Sequence, residues 1–351
     1  MKKVVTASVL AILCALGTGC SSQKQVNNTA VSAEQADAQY AKLLEQVRQV
    51  TREQLSQVTL NVIDGLYGYH QLEPASLADT FYKVNYIQAV NAGDQMALLL
   101  SGQADLNVYG DISFAGIVAA DVPLTIIRGM QRPVKPCGIA VQLDSNIQSV
   151  QDLKGKIIAN TTGYSSEVVA IRAFKQARLN FFKDAQVIEM KTLADARVAF
   201  LNKRVDAWVG CHETFNSTIL NGEARSLVTG EQGNWIGHNY WGVHHNVFND
   251  VVKLAAILDY VKRVDKSFDW ANAHPEELGE RIAKTFKSDP TLFKRYMRWS
   301  GDSYGLAITN DMIQGLQATY DVEAELGRLP KGKKVAPYFT ASFNAYFDAT
   351  K

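Results

Sequence analysis

From residue 58 onward the apolar positions fall into a repeating order: a short β-branched run, a break carrying Gly, Asn or Asp, then a stretch of helical spacing. The first series predicts strands at 59–63, 84–90, 106–109 and 124–128, with helices near 94–101 and 113–119. A second series predicts strands at 138–142, 156–159, 186–189, 207–209 and 226–229, separated by helices at about 165–177, 193–202 and 213–220. Strands alternating with helices of this length point to mostly parallel sheets flanked by helices, and two series in succession point to two α/β lobes. Beyond Asn246 the spacing is almost wholly helical, over 251–268, 275–286, 290–299 and 310–326. Pro275 and Pro290 sit where a first-turn proline is tolerated, and Asp289 is placed to cap. This tail reads as packing, not chemistry.

Upstream, residues 33–57 place Tyr40, Leu43, Leu44, Val47, Val50 and Leu55 on a helix-forming background, an amphipathic helix that packs on the body or stands off as a spacer. Residues 20–32 are polar and rich in Ser, Asn, Gln and Thr, as a tether would be. Residues 1–19 open with Met1, Lys2 and Lys3, run apolar, and close on Gly17, Thr18 and Gly19 before Cys20. That is the layout of an export signal ending at a lipoprotein cleavage site, so Cys20 is expected to carry lipid and anchor an extracytoplasmic (periplasmic) chain to a membrane. An ordinary cleaved signal is the alternative.

Without Lys2 and Lys3, the 36 basic residues fall to 34 against 35 acidic ones, too even a balance to attract nucleic acid or anionic lipid through bulk charge. A 47% hydrophobic content over 351 residues suffices for one large core or two ordinary ones. With Cys14 in the signal and Cys20 assigned to lipid, only Cys137 and Cys211 remain. A bridge between them and two separate buried thiols are both open. His238, His244 and His245 lack the spacing and company of a metal site, and no nucleophile triad or phosphate-binding glycine loop occurs in its required context, so neither metal nor cofactor is expected.

Several local patterns in one order resemble the type 2 periplasmic binding proteins of ABC transporters for nitrate, sulfonates, taurine and thiamine precursors. They are Asn91-Ala92-Gly93-Asp94, Leu100-Ser101-Gly102-Gln103-Ala104-Asp105, Tyr109-Gly110-Asp111, and Asp152-Leu153-Lys154-Gly155-Lys156 leading into Thr161-Thr162-Gly163-Tyr164-Ser165-Ser166. Val205-Asp206-Ala207-Trp208 and Leu326-Gly327-Arg328-Leu329-Pro330 follow. The resemblance implies an α/β fold of two lobes closing over a solute in the cleft between them. By its layout lobe 1 spans 58–131 plus 240–351, lobe 2 spans 137–230, and 132–136 with 231–239 are the hinge segments. It implies a monomeric, non-enzymatic binder that hands a small organic solute to an ABC permease. A sensory partner of a membrane receptor is the alternative, and an enzyme related to thiamine-pyrimidine synthases a more distant one.

Thr162, Tyr164, Ser165 and Ser166 follow a strand and open a helix, where free N–H groups and the positive dipole end can hold an oxyanion; plain capping is the bland alternative. Asp111 and Ser113 form a second strand-to-helix corner and Glu213 a third, so that Asp111 either caps its helix or accepts from a ligand amine. Aromatic residues cluster where the cleft should be: Tyr67, Tyr69, Tyr109, Tyr164, Phe215, Trp235, Tyr240 and Trp241. About half are expected to touch ligand, with Tyr69 and Trp241 foremost. A sulfonate, a taurine-like zwitterion or a heteroaromatic ring would satisfy parts of this set.

Overall fold

The structure, a computed structural model, describes residues 33–63, 68–87, 89, 92–233, 235–287 and 289–349. The expected signal at 1–19, the tether with Cys20, and Tyr67 lie outside the described residues. In chain order the first elements are α1 (Ala33–Val47), α2 (Arg52–Leu55), β1 (Thr59–Ile63), α3 (Tyr69–Leu72), β2 (Lys83–Tyr86), α4 (Ala92–Leu100), β3 (Leu106–Gly110), α5 (Asp111–Ala119) and β4 (Leu124–Gln131). A second stretch runs β5 (Cys137–Val141), β6 (Ile157–Asn160), α6 (Ser165–Gln176), α7 (Phe181–Asp184), β7 (Gln186–Glu189), α8 (Leu193–Leu201), β8 (Ala207–Cys211), α9 (His212–Leu220) and β9 (Arg225–Thr229). The chain then returns through β10 (His238–His244), α10 (Val251–Ala273), α11 (Pro275–Phe286), α12 (Pro290–Ser300), β11 (Tyr304–Leu306), α13 (Asn310–Glu325) and α14 (Asn344–Asp348).

Two sheets result, ordered β11-β4-β10-β3-β1-β2 and β7-β6-β8-β5-β9. Helices flank each sheet, and separate apolar clusters fill its two faces, giving a two-lobed α/β fold. Both sheets are mixed rather than mostly parallel. β1 pairs in parallel with β2 and β3, but β10 enters between β3 and β4 antiparallel to both. β5 likewise lies antiparallel to β8 and β9. The strand pattern misses β10 because it is central and covered on both sides. Residues Asn239 to Val243 are all buried, so the polar alternation that marks a half-exposed strand is absent.

The expected single helix over 33–57 is broken at Thr51. Its side chain accepts from Gln54 N while Gln54 reaches back to the Thr51 amide, a capping box that restarts the chain as α2. The helix packs on the body: Leu43, Leu44 and Val47 are buried with α10, and the Tyr40 ring lies 4.9 Å from that of Phe248.

The chain passes between the sheets at 132–136 and again at 230–237, and the two passages are bonded together. Arg132 N donates to Gly237 O at 2.9 Å and the Gln131 amide to Ile236 O at 2.8 Å. Gly237 has φ +65° and no room for a Cβ, which would meet the Arg132 carbonyl oxygen at 2.5 Å. C-terminal segments also reach the second sheet's helices. Arg328 grips Glu167 at 2.6 and 2.9 Å, Arg172 donates to Thr319 at 3.1 Å, and Trp299 packs against the cluster around Trp208. Among the described residues no helix is long and apolar enough to cross a membrane.

Candidate functional site

Where the two sheets face one another lies a cavity of about 620 Å³. Its polar end is built by three strand-to-helix corners, β3 into α5, β6 into α6 and β8 into α9. These corners sit at the carboxyl ends of their strands, the place where open α/β sheets present helix N-termini to a crevice. Gly110 and Ser113 come from the first, Tyr164 and Ser165 from the second, and His212 and Glu213 from the third. None of the three helices has a side-chain cap: the cap positions are Gly110, Tyr164 and Cys211. Elsewhere in the chain Thr51, Asn180, Thr192, Asp250, Asp289 and Thr309 all cap their helices. The helices α3, α11 and α14 lack side-chain caps too. At the cavity Ile112 N is taken by Asp111 and His212 N by Pro136 O, and the three helix starts present their positive dipole ends and the remaining first-turn N–H groups.

Asp111 takes a different role from the one expected. Its carboxylate is 1% exposed, does not line the cavity, and is already engaged. It accepts from its neighbour Ile112 N at 2.9 Å, from Trp235 Nε1 at 2.9 Å and from Ser165 Oγ at 3.4 Å. One side chain thus ties a first-sheet helix to a second-sheet helix and to the return passage. Burial pushes its carboxyl above the ordinary range, and those donors, with the Arg172 guanidinium, pull the other way. His212 is exposed, its side chain facing the cavity. Desolvation pushes its pKa below the usual value, with Glu213 opposing and Arg132 adding to the fall. Its backbone sits at φ +55°, held by a hydrogen bond from its amide to Pro136 O at 3.0 Å.

Ser113, Tyr164, Ser165 and Glu213 meet at the cavity, together with Trp235. Thr162 turns away and donates to Glu189 at 2.5 Å. Ser166 is fully buried, its hydroxyl without a partner among the described residues. Tyr69 packs at a tilt against Tyr86 and His70, with ring centroids 4.7 and 4.1 Å apart, and is not part of the wall. Tyr240 and Trp241 are corrected outright, since they are 0% and 1% exposed. Adjacent residues on a strand point to opposite faces, and both faces of β10 are covered by helices. Each ring is therefore core: Tyr240 with α5 and α13, Trp241 with α10. Tyr109 and Phe215 are buried in the same way.

Arg132, His212, Asn239, Gln71 and Gln95 line the cavity without having been singled out from the sequence. A cation flanked by Gln131 and Pro133 in a passage between sheets was the available signal for Arg132. The cavity also continues between α10, α11 and α12, the helices expected to be packing alone. Cys137 and Cys211, opposite one another on β5 and β8, form a disulfide at this wall. They and His212 are the one group among the described residues that brings three metal-type ligand atoms together, within 4.8 Å. As a disulfide the two sulfurs offer no thiolate to a metal.

The chain matches the NMT1/THI5 like family over residues 82–278, more than half its length. It belongs to that family. A relative in Escherichia coli (strain K12), named for binding aliphatic sulfonates, is 37% identical over 163 residues, 45% of this chain. The chain spans about half (49%) of the length of that relative. A Bacillus subtilis (strain 168) protein of the same name is 23% identical over 69% of this chain and 71% of its own length. The fold of this NMT1/THI5-like chain is also that of the periplasmic aliphatic sulphonate binding protein of Escherichia coli. The TM-score is 0.71 at 23% identity, over 80% of this chain and 90% of that one. The alkanesulfonate-binding protein from Xanthomonas axonopodis pv. citri, solved bound to MOPS, gives a TM-score of 0.65 at 21% identity, over 81% and 97%.

Proposed function

We propose that this chain is the solute-binding component of an ABC importer outside the cytoplasm, capturing a small organic sulfonate in the cavity and delivering it to the permease. The observation that carries this reading is the convergence of three uncapped helix N-termini on one cavity. A sulfonate brings one full negative charge spread over three acceptor oxygens, which matches a wall of backbone N–H groups and the Ser113 and Ser165 hydroxyls. The names of the relatives favour the same class. Glu213 on the same wall favours solutes that also carry an amine, as a taurine-like zwitterion does.

In this reading lobe 1 (58–131 plus 240–351) and lobe 2 (137–230) move about segments 132–136 and 231–239, and binding energy drives their closure. The chain works as a monomer, held to the membrane through Cys20. It acts as a binder, not as an enzyme.

Isothermal titration with methanesulfonate and taurine tests the reading, using Ser113→Asp as the control. Sulfonate should bind the wild type, and a carboxylate placed in the first turn of α5 should compete for the same N–H groups and weaken binding at least tenfold. An absence of sulfonate binding, or equal binding by the variant, would overturn it.

A further inference from the structure

The disulfide at the cavity wall has a second chemistry once it is opened. Cys137 and Cys211 stand directly opposite one another on β5 and β8, with Cα atoms 4.1 Å apart, so both side chains leave the sheet on one face. His212 follows at once, its backbone at φ +55° and its amide held by the Pro136 carbonyl at 3.0 Å. One imidazole nitrogen and the two sulfurs all lie within 4.8 Å of one another. Cys137 and His212 line the cavity, while Cys211 lies behind them in the apolar core of the second sheet. A tetrahedral zinc ion with Zn–S bonds of about 2.3 Å holds two thiolates about 3.8 Å apart, a spacing within reach of directly opposed side chains. Both cysteines are 0% exposed, so an isolated thiolate there would be costly to bury. Two thiolates around a divalent ion cancel its charge, and a neutral imidazole adds none.

We infer that the reduced chain carries a site for a thiophilic divalent ion such as zinc, held by Cys137, Cys211 and His212, with the fourth coordination position open toward the cavity. The reductant is a dithiol, which is oxidised to a disulfide while Cys137 and Cys211 each gain one electron and one proton. The ion then displaces those two protons, with no further redox change. Bridge and ion exclude one another, so the site exists only in the reduced chain. It is independent of the sulfonate reading.

The test uses the full chain with Cys14→Ser and Cys20→Ser, so that no other thiol competes. The chain is reduced, freed of reductant without oxygen, and titrated with cadmium, whose thiolate charge-transfer band reports sulfur ligation directly. The reduced chain should show the band saturating at one ion per chain, and the oxidised chain should show none. Adding Cys137→Ser and Cys211→Ser should abolish it. His212→Asn, which tolerates the positive φ, should weaken binding at least tenfold. Zinc should raise the melting temperature of the reduced chain and leave that of the oxidised chain unchanged. If the reduced chain has lost its native circular dichroism, zinc should restore it, since metal binding is then coupled to folding. No band in a folded reduced chain, a band that survives the double serine change, or no recovery of an unfolded one would overturn the site. Equal binding by His212→Asn would overturn the imidazole ligand, and with it the three-residue site.

Discussion

Replacing Arg328 with methionine removes the cation from a carboxylate that has no access to water. Glu167 is 0% exposed on α6 and accepts from both Arg328 guanidinium nitrogens, at 2.6 and 2.9 Å. Asn160 adds a bond at 2.7 Å and Gly163 N one at 3.3 Å. A second carboxylate, Glu323, lies 3.4 Å from the same guanidinium, and burial pushes its pKa up while Arg328 pulls it down. Breaking a buried pair by removing one partner costs roughly 3–5 kcal/mol, because the remaining charge stays desolvated. Arg328 is 26% exposed, so water can partly take its place, and the lower end, about 3 kcal/mol, is expected. For a chain of this size that is a fall of roughly 4–5 °C in Tm. Urea unfolding of wild type, Arg328→Met, Glu167→Gln and the double variant closes the cycle. The double variant should recover much of the loss, since a neutral amide there needs no counter-charge. A cost under about 1 kcal/mol for Arg328→Met, or a double variant no more stable than that single one, would refute the reasoning.

Trp241→Ala should cost about 3–5 kcal/mol as a core truncation. Tyr240→Phe should stay within about 0.5 kcal/mol, because the Tyr240 hydroxyl has no partner among the described residues; a reversed order in chemical denaturation would contradict their placement. The Cys137–Cys211 bridge closes a loop of sequence separation 74, so Cys137→Ala/Cys211→Ala should lose up to about 4 kcal/mol, and an equally stable reduced protein would count against it. Burial, opposed by Arg128, pushes the Asp265 carboxyl up to about 6 from an ordinary 3.8. Its protonation therefore favours the folded chain below about pH 4, and that contribution is lost as pH rises through about 6. The stability of wild type relative to Asp265→Asn should accordingly grow by about 2–3 kcal/mol from pH 7 to pH 4, and a flat difference would exclude the titration.

Local chemistry alone determined much of this protein. Strand and helix alternation is written in short β-branched runs and their breakers, and the corners at Ser113, Ser165 and Glu213 follow because a helix that starts directly after a strand exposes its N-terminus there. What tertiary structure decided is which side chains those corners leave free. Tyr240 and Trp241 carry the composition of a ligand wall, yet insertion of β10 between β3 and β4 covers both their faces, and no local pattern records that insertion. Asp111 reads as ligand contact until Trp235, 124 residues later, arrives to donate to it. In α11 and α12 the apolar stripes show that something must be buried. That α10, α11 and α12 bury those stripes against one another, in a cluster of Ala271, Leu278, Ile282 and Phe293, depends on how closely the three helices approach, a distance set by the whole fold.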